Sequence, residues 1–168
     1  MRWLLYGLGG VAALILLVAL VGTMLPKFHT ATRQIRLHQT PDAVYALITG
    51  PADWRDLKAV EQLAPVDGRK RWKETDGRNE ITYELVEATP PSKVVTRIAD
   101  DTLPFGGTWT YVISSTAGAT ILRVTEDGEV RNPIFRFVSR FIMGHTATLD
   151  KYLTAVGKKF GEPITIED

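Results

Sequence analysis

The sequence predicts one α+β domain carried behind a single membrane-spanning helix, and three observations predict it. Leu4 to Leu25 contains no charged side chain. From about Ala31 to Val130, short runs alternate apolar and polar residues and are broken by turn signals, the pattern of strands with one dry face. From Pro133 to Phe160 the apolar period lengthens to three and four residues, the pattern of an amphipathic helix. Strands followed by one long helix make an α+β layer arrangement.

The N-terminal run comes first. At a rise of about 1.5 Å per residue it is long enough to cross a hydrocarbon core of roughly 30 Å. Arg2 precedes it, and Lys27, Arg33 and Arg36 follow Pro26, so charges that are costly to bury bound it on both sides. Trp3 and Tyr6 at one end and Phe28 beyond the other suit the headgroup zone. The alternative is a cleaved secretory signal, whose apolar region spans about 7 to 15 residues and ends in a small-x-small site. Here the run is longer, and Val21-Gly22-Thr23-Met24-Leu25-Pro26 lacks an Ala-x-Ala pattern. Residues 1–27 are therefore read as a retained anchor, 28–30 as a linker, 31–161 as the domain and 162–168 as a tail. The excess of basic residues after the helix favours a cytoplasmic domain.

About 140 residues remain beyond the anchor, the common size of one domain. With 20 basic and 19 acidic residues spread along the chain, no strong field points to nucleic acid. The absence of cysteine excludes disulfides, thiol catalysis and Cys-based zinc sites, without deciding the compartment.

The alternation from Ala31 to His38 predicts the first strand. Thr40 as cap and Pro41 at the first helical position then open a short helix with Val44, Tyr45, Leu47 and Ile48 on one face, ending at Gly50. A second short helical turn is expected at Pro51-Ala52-Asp53-Trp54-Arg55. Five or six further strands follow, divided at Asp67-Gly68, Asp76-Gly77, Pro90-Pro91, Pro104 to Gly107 and Ala117-Gly118. Their apolar faces carry Trp72; Ile81, Tyr83 and Leu85; Val94 and Ile98; Trp109, Tyr111 and Ile113; Leu122 and Val124. The closing helix, with Phe137, Phe141, His145, Leu149, Tyr152, Leu153 and Val156 on its stripe, covers that sheet and stops at Gly161.

Thr40-Pro41-Asp42-Ala43-Val44-Tyr45-Ala46-Leu47-Ile48 with Asp53-Trp54, Pro104-Phe105-Gly106-Gly107-Thr108-Trp109-Thr110-Tyr111, and Thr125-Glu126-Asp127-Gly128-Glu129-Val130, in this order of elements, resemble the START-like or polyketide cyclase superfamily, SRPBCC. The resemblance covers about residues 30 to 161 and implies a helix-grip fold of about six to seven strands. It also implies a deep apolar cavity between sheet and C-terminal helix, used for lipids, sterols, polyketides or aromatic molecules. The fold alone does not specify a reaction.

The expected cavity set is Trp72, Tyr83, Trp109, Tyr111, Phe141, His145 and Leu149, with Trp54 a further aromatic candidate. For acid–base work, His145 on the helix stripe and Glu126 on the strand face of Leu122 and Val124 form the candidate pair. Against it stand a structural, hydrogen-bonded His145 and a Glu126 that merely opens an exposed turn with Asp127 and Gly128. His29 and His38 read as surface groups. Arg123 and Arg131 could meet an anionic headgroup, or could simply be solvated. There is no Gly-x-Ser-x-Gly, His-Glu-x-x-His or phosphate-binding glycine loop, Gly106-Gly107 reads as a turn or bulge, and three dispersed histidines make no metal site. No cofactor is called for. The expected partners are a membrane and a hydrophobic small molecule or lipid. Two other readings stand beside binding: a cyclase, dehydratase or hydrolase-like enzyme using a cavity acid–base group, and a ligandless interaction domain.

Overall fold

The computed structural model describes residues 2–77 and 79–168. Seven strands form one antiparallel open sheet: β1 (Phe28–Leu37), β2 (Ala59–Val66), β3 (Arg69–Thr75), β4 (Glu80–Thr89), β5 (Lys93–Ile98), β6 (Phe105–Thr116) and β7 (Ala119–Val130). Their order is β1-β7-β6-β5-β4-β3-β2, so every neighbouring pair except β1 and β7 is consecutive in sequence. Helix α1 (Arg2–Met24) precedes the sheet, α2 (Pro41–Thr49) links β1 to β2, and α3 (Pro133–Val138), a π-helical turn (Ser139–Met143) and α4 (Ala147–Phe160) follow it. This is the helix-grip architecture.

On β7 the alternation read in the sequence is the alternation of burial, whereas β5 buries Val94, Val95 and Thr96 in a row and β4 buries Glu84 between Tyr83 and Leu85. Leu122 and Val124 are fully buried while Arg123 between them is exposed. Ile35, Leu37, Val94, Tyr111, Ile113, Leu122 and Val124 from the sheet form one cluster with Val44 of α2 and with Leu149, Tyr152, Leu153 and Val156 of α4. Each such fully buried aliphatic side chain contributes about 1.5–3 kcal/mol. The α2 cap is as expected: the Thr40 hydroxyl accepts from Ala43 N–H at 3.2 Å, and Pro41 occupies the first turn. The last residues dock along β1, where Glu167 exchanges two backbone hydrogen bonds of 2.9 Å with Gln34. Arg33 ties β1 to Asp150 of α4 at 3.1 Å.

Four local expectations are corrected. The second short helix at Pro51 is only a turn, closed by Arg55 N–H donating to Ala52 O at 3.1 Å. The first strand begins at Phe28, through the segment read as a linker. Gly106 and Gly107 lie within β6, paired with Glu129 and Gly128, and Glu126-Asp127-Gly128 lies within β7. The expected single helix from Pro133 to Phe160 is broken: Asn132 caps α3 by accepting from Ile134 N–H and Phe135 N–H, and Gly144 interrupts the chain at φ 76°, ψ 157°, a conformation that favours glycine. The apolar spacing continues through Phe141, Ile142 and Met143, but those side chains point outward.

Helix α1 is long and apolar enough to cross a membrane, and its spanning stretch, Tyr6–Met24, is almost wholly exposed. Gly22 in its last turn is the exception. Gly22 is buried so closely against the Pro133 backbone that a Cβ would have no room, and Gly22 O accepts from Arg136 Nη1 at 3.4 Å.

Candidate functional site

Two cavities separate the sheet from its helical cover. The larger, about 400 Å³, is walled by Tyr45 and Ile48 of α2, the 49–55 segment, and strand residues that include Trp72, Glu74, Leu85 and Tyr111. The second, about 270 Å³, lies between Thr148, Lys151, Tyr152 and Ala155 of α4 and a strand wall of Trp72, Ile81, Tyr83 and Trp109. Arg55, Trp72, Glu74, Thr96, Tyr111 and Tyr152 line both cavities and form the partition between them.

That partition has a charged centre. Strand β3 presents Trp72 and Glu74 on the same face, two residues apart, and Trp72 Nε1 donates to Glu74 Oε1 at 2.9 Å. The other carboxylate oxygen, Oε2, is paired with Arg55 Nη2, and the Arg55 guanidinium carbon sits 5.8 Å from the centre of the Tyr152 ring. Burial alone would lower the Arg55 pKa, but Glu74 more than offsets this, leaving it raised. Burial also raises the phenols of Tyr83, Tyr111 and Tyr152, which stay neutral donors. Trp109 and Trp54 meet Tyr152 edge-on, with ring centroids 5.7 and 5.4 Å away. At this partition two buried donors, Trp54 Nε1 and Arg55 Nε, have no protein acceptor. Unmatched donors beside an aromatic cavity suit an apolar molecule with a hydrogen-bond-accepting tip.

Of the expected cavity residues, Trp72, Tyr83, Trp109 and Tyr111 line these two cavities, as does Trp54. Phe141, His145 and Leu149 line neither. Leu149 is fully buried in the core, and Phe141 is 60% exposed. Sequence reasoning passed over Arg55, Glu74 and, as a cavity residue, Tyr152. The Trp-x-Glu alternation of β3 carried a signal for Glu74, because a carboxylate two residues from an inward Trp shares its face.

The acid–base candidates lie elsewhere, near the exit of α1. His145 sits in the break after Gly144, off any helix, with Nδ1 3.2 Å from Ser139 Oγ. It does not meet Glu126 directly. His29, far from being an ordinary surface group, stacks on it with ring centroids 4.1 Å apart, and His29 Nε2 lies 3.8 Å from Glu126 Oε1. A pocket of about 210 Å³ bounded by Leu25, Phe28, His29, Ser139, Arg140 and His145 opens there. Burial lowers both histidines; repulsion from His145 lowers His29 further, against Asp127, which raises it, and Arg140 lowers His145 further. His38 is exposed beside Glu162, Arg123 is spent on Gln34, and Arg131 holds the carbonyls of Asp101, Leu103 and Phe105.

Glu126 is half-buried on β7, and burial pushes its carboxyl up to about 7, against a hydrogen bond from Trp109 that favours the charged form. The raised value means that the folded state holds the proton more tightly than the unfolded chain. Its contribution is complete below the usual carboxyl value of 4.5 and is lost as pH rises to about 7. Glu126→Gln is therefore expected to be more stable than the parent by about 2–3 kcal/mol at pH 8 and equal to it near pH 4, measured by denaturant unfolding across pH.

Comparison with known proteins agrees with this fold. The chain has the fold of a ginseng major latex-like protein from Panax ginseng, with a TM-score of 0.61, 11% identity, and coverage of 81% of this chain and 97% of that one. Norcoclaurine synthase from Thalictrum flavum gives a TM-score of 0.61 at 12% identity over 81% of this chain and 88% of that one. The same enzyme has been seen in complex with dopamine and hydroxybenzaldehyde. The di-domain ARO/CYC of the steffimycin biosynthetic pathway gives 0.58 at 12% identity, over 80% of this chain and 52% of that one. A search of curated proteins finds no match. The family profile described as polyketide cyclase / dehydrase and lipid transport matches residues 29–155, most of the chain. By that match, this protein belongs to the polyketide cyclase / dehydrase and lipid transport family.

Proposed function

We propose that this protein is a membrane-tethered binding domain that takes an apolar small molecule or lipid into the paired cavities between sheet and α4. The observation that carries the proposal is the partition itself: aromatic walls around a buried Arg55–Glu74 pair, with Trp54 Nε1 and Arg55 Nε lacking acceptors. Those donors call for a ligand with a carbonyl, carboxylate or hydroxyl oxygen at its tip. The family description, which joins cyclase chemistry to lipid transport, is consistent with that class. An α1 embedded in the bilayer would hold the cavities where such ligands partition, raising their effective concentration. The basic residues after α1 favour the cytoplasmic face.

Three of the four tryptophans, Trp54, Trp72 and Trp109, line the cavities, so binding can be read from their emission. Titrating the full chain in mild detergent with cis-parinaric acid is expected to give saturable one-to-one energy transfer. Transfer that only rises linearly is partition into the micelle, and refutes the binding reading.

A second reading, a cyclase or dehydratase-like reaction, rests on Glu126, which lines neither cavity but takes a hydrogen bond from Trp109 of the second cavity's wall. A carboxyl pushed up to about 7 can both give and take a proton at neutral pH. Loss of turnover in Glu126→Gln with ligand retention unchanged would distinguish catalysis from binding alone.

A further inference from the structure

The exposed apolar surface of the folded domain is concentrated at one end. Phe135 on α3, and Phe141, Ile142 and Met143 on the π-helical turn, are all exposed, and so are Met24 and Phe28 where the chain leaves α1. Ile142 reaches 71% exposure. By contrast, the large exposed apolar side chains on β2, β4 and β6 are scattered valines, Val60 and Val66, Val86, and Val112. One isolated apolar residue needs no explanation, whereas several on consecutive turns do.

The position of this surface identifies what covers it. Gly22, in the last turn of α1, lies against the Pro133 backbone, and Arg136 donates to Gly22 O at 3.4 Å. The start of α3 is therefore level with the end of the spanning stretch, two residues before Met24, or about 3 Å along the helix axis. From Val130 to Leu149 the sequence contains Arg131, Arg136 and Arg140 and no acidic residue. Large apolar side chains together with arginines, at the depth where a spanning helix leaves the hydrocarbon, are the composition of an interfacial segment.

We propose that α3 and the π-helical turn lie in the headgroup zone of the leaflet from which α1 emerges, with Phe135, Phe141, Ile142 and Met143 among the acyl chains and Arg140 at lipid phosphates. The occupant of this surface is the bilayer itself. A protein partner would have to displace lipid at the very turn where α1 and α3 touch. The arrangement fixes the domain against the membrane at two places and sets the pocket of His29, Ser139 and His145 at headgroup level. It also accounts for the break at Gly144: the chain must leave the interface before α4 can return to the sheet.

The inference rests on the membrane-spanning reading of α1, and one experiment separates the two. The chain has no cysteine, so single spin labels can be placed at Leu14→Cys, Ile142→Cys and Ser115→Cys, the last in an exposed part of β6 near its hairpin. In the full chain, in vesicles of phosphatidylcholine and phosphatidylglycerol, the label at 14 is expected deep in the hydrocarbon and the label at 115 in water. The label at 142 is expected at shallow depth, its oxygen-to-nickel-chelate accessibility several-fold that at 115. A label at 142 as aqueous as that at 115, with 14 deep, overturns the inference and leaves the span intact. A label at 142 shielded from both reagents means that protein covers the surface, which also overturns it. An aqueous label at 14 overturns both readings.

Discussion

Glu74→Ala is expected to lower the stability of the domain by about 3–5 kcal/mol, because it leaves the buried Arg55 guanidinium without its counter-charge. The same change takes the acceptor from Trp72 Nε1, adding a third unpaired donor to Trp54 Nε1 and Arg55 Nε. For a domain of this size the loss corresponds to roughly 10 °C in Tm, measured by thermal unfolding of the full chain in detergent. Replacing both charges with apolar residues of similar size, Arg55→Met with Glu74→Leu, is expected to restore most of that stability, since a well-packed apolar pair often replaces an ion pair without loss. The double variant should bind polar-tipped ligands poorly. A loss below about 1 kcal/mol in Glu74→Ala would mean that water reaches the pair and that the partition is not a dry, preorganised site.

The second large effect is Leu149→Ala, expected to cost about 2–5 kcal/mol, the range for deleting a fully buried leucine side chain when the surrounding core relaxes only partly. Phe141→Ala, on the apolar stripe read across the same predicted helix, is expected to change stability by less than about 0.5 kcal/mol, as its ring is 60% exposed. Chemical unfolding of the two variants side by side tests the broken helix directly. Comparable losses would place Phe141 inside the fold and contradict the break at Gly144.

That pair also marks the boundary of what was legible in the sequence. Local chemistry was readable: Thr40-Pro41 capped α2, Asp67-Gly68 closed the β2–β3 hairpin, and the period-two faces of Ile81, Tyr83 and Leu85 or Leu122 and Val124 set the strands. The four-residue spacing of Phe137, Phe141, His145 and Leu149 looked continuous because an outward-facing apolar segment and a core-packed helix use the same period. Only the backbone at Gly144 separates them. Within the site, the aromatic wall of Trp72, Tyr83, Trp109 and Tyr111 followed from strand faces, but its charged centre did not. Arg55 sits in an irregular turn and meets Glu74 from another element, and His29 stacks on a histidine from the far end of the chain. The histidine stack is set by the topology that lays β1 beside β7, the Arg55–Glu74 pair by the turn that folds over β3, and no local pattern announces either.

The central claim is that the space around Arg55, Glu74 and Tyr152 holds an apolar molecule, and native mass spectrometry of the full chain, purified from its source cells in mild detergent, tests it most directly. The account predicts one small apolar molecule per chain, extractable into organic solvent and absent from the Arg55→Met, Glu74→Leu double variant. A folded parent protein that shows only the mass of its own polypeptide would contradict it.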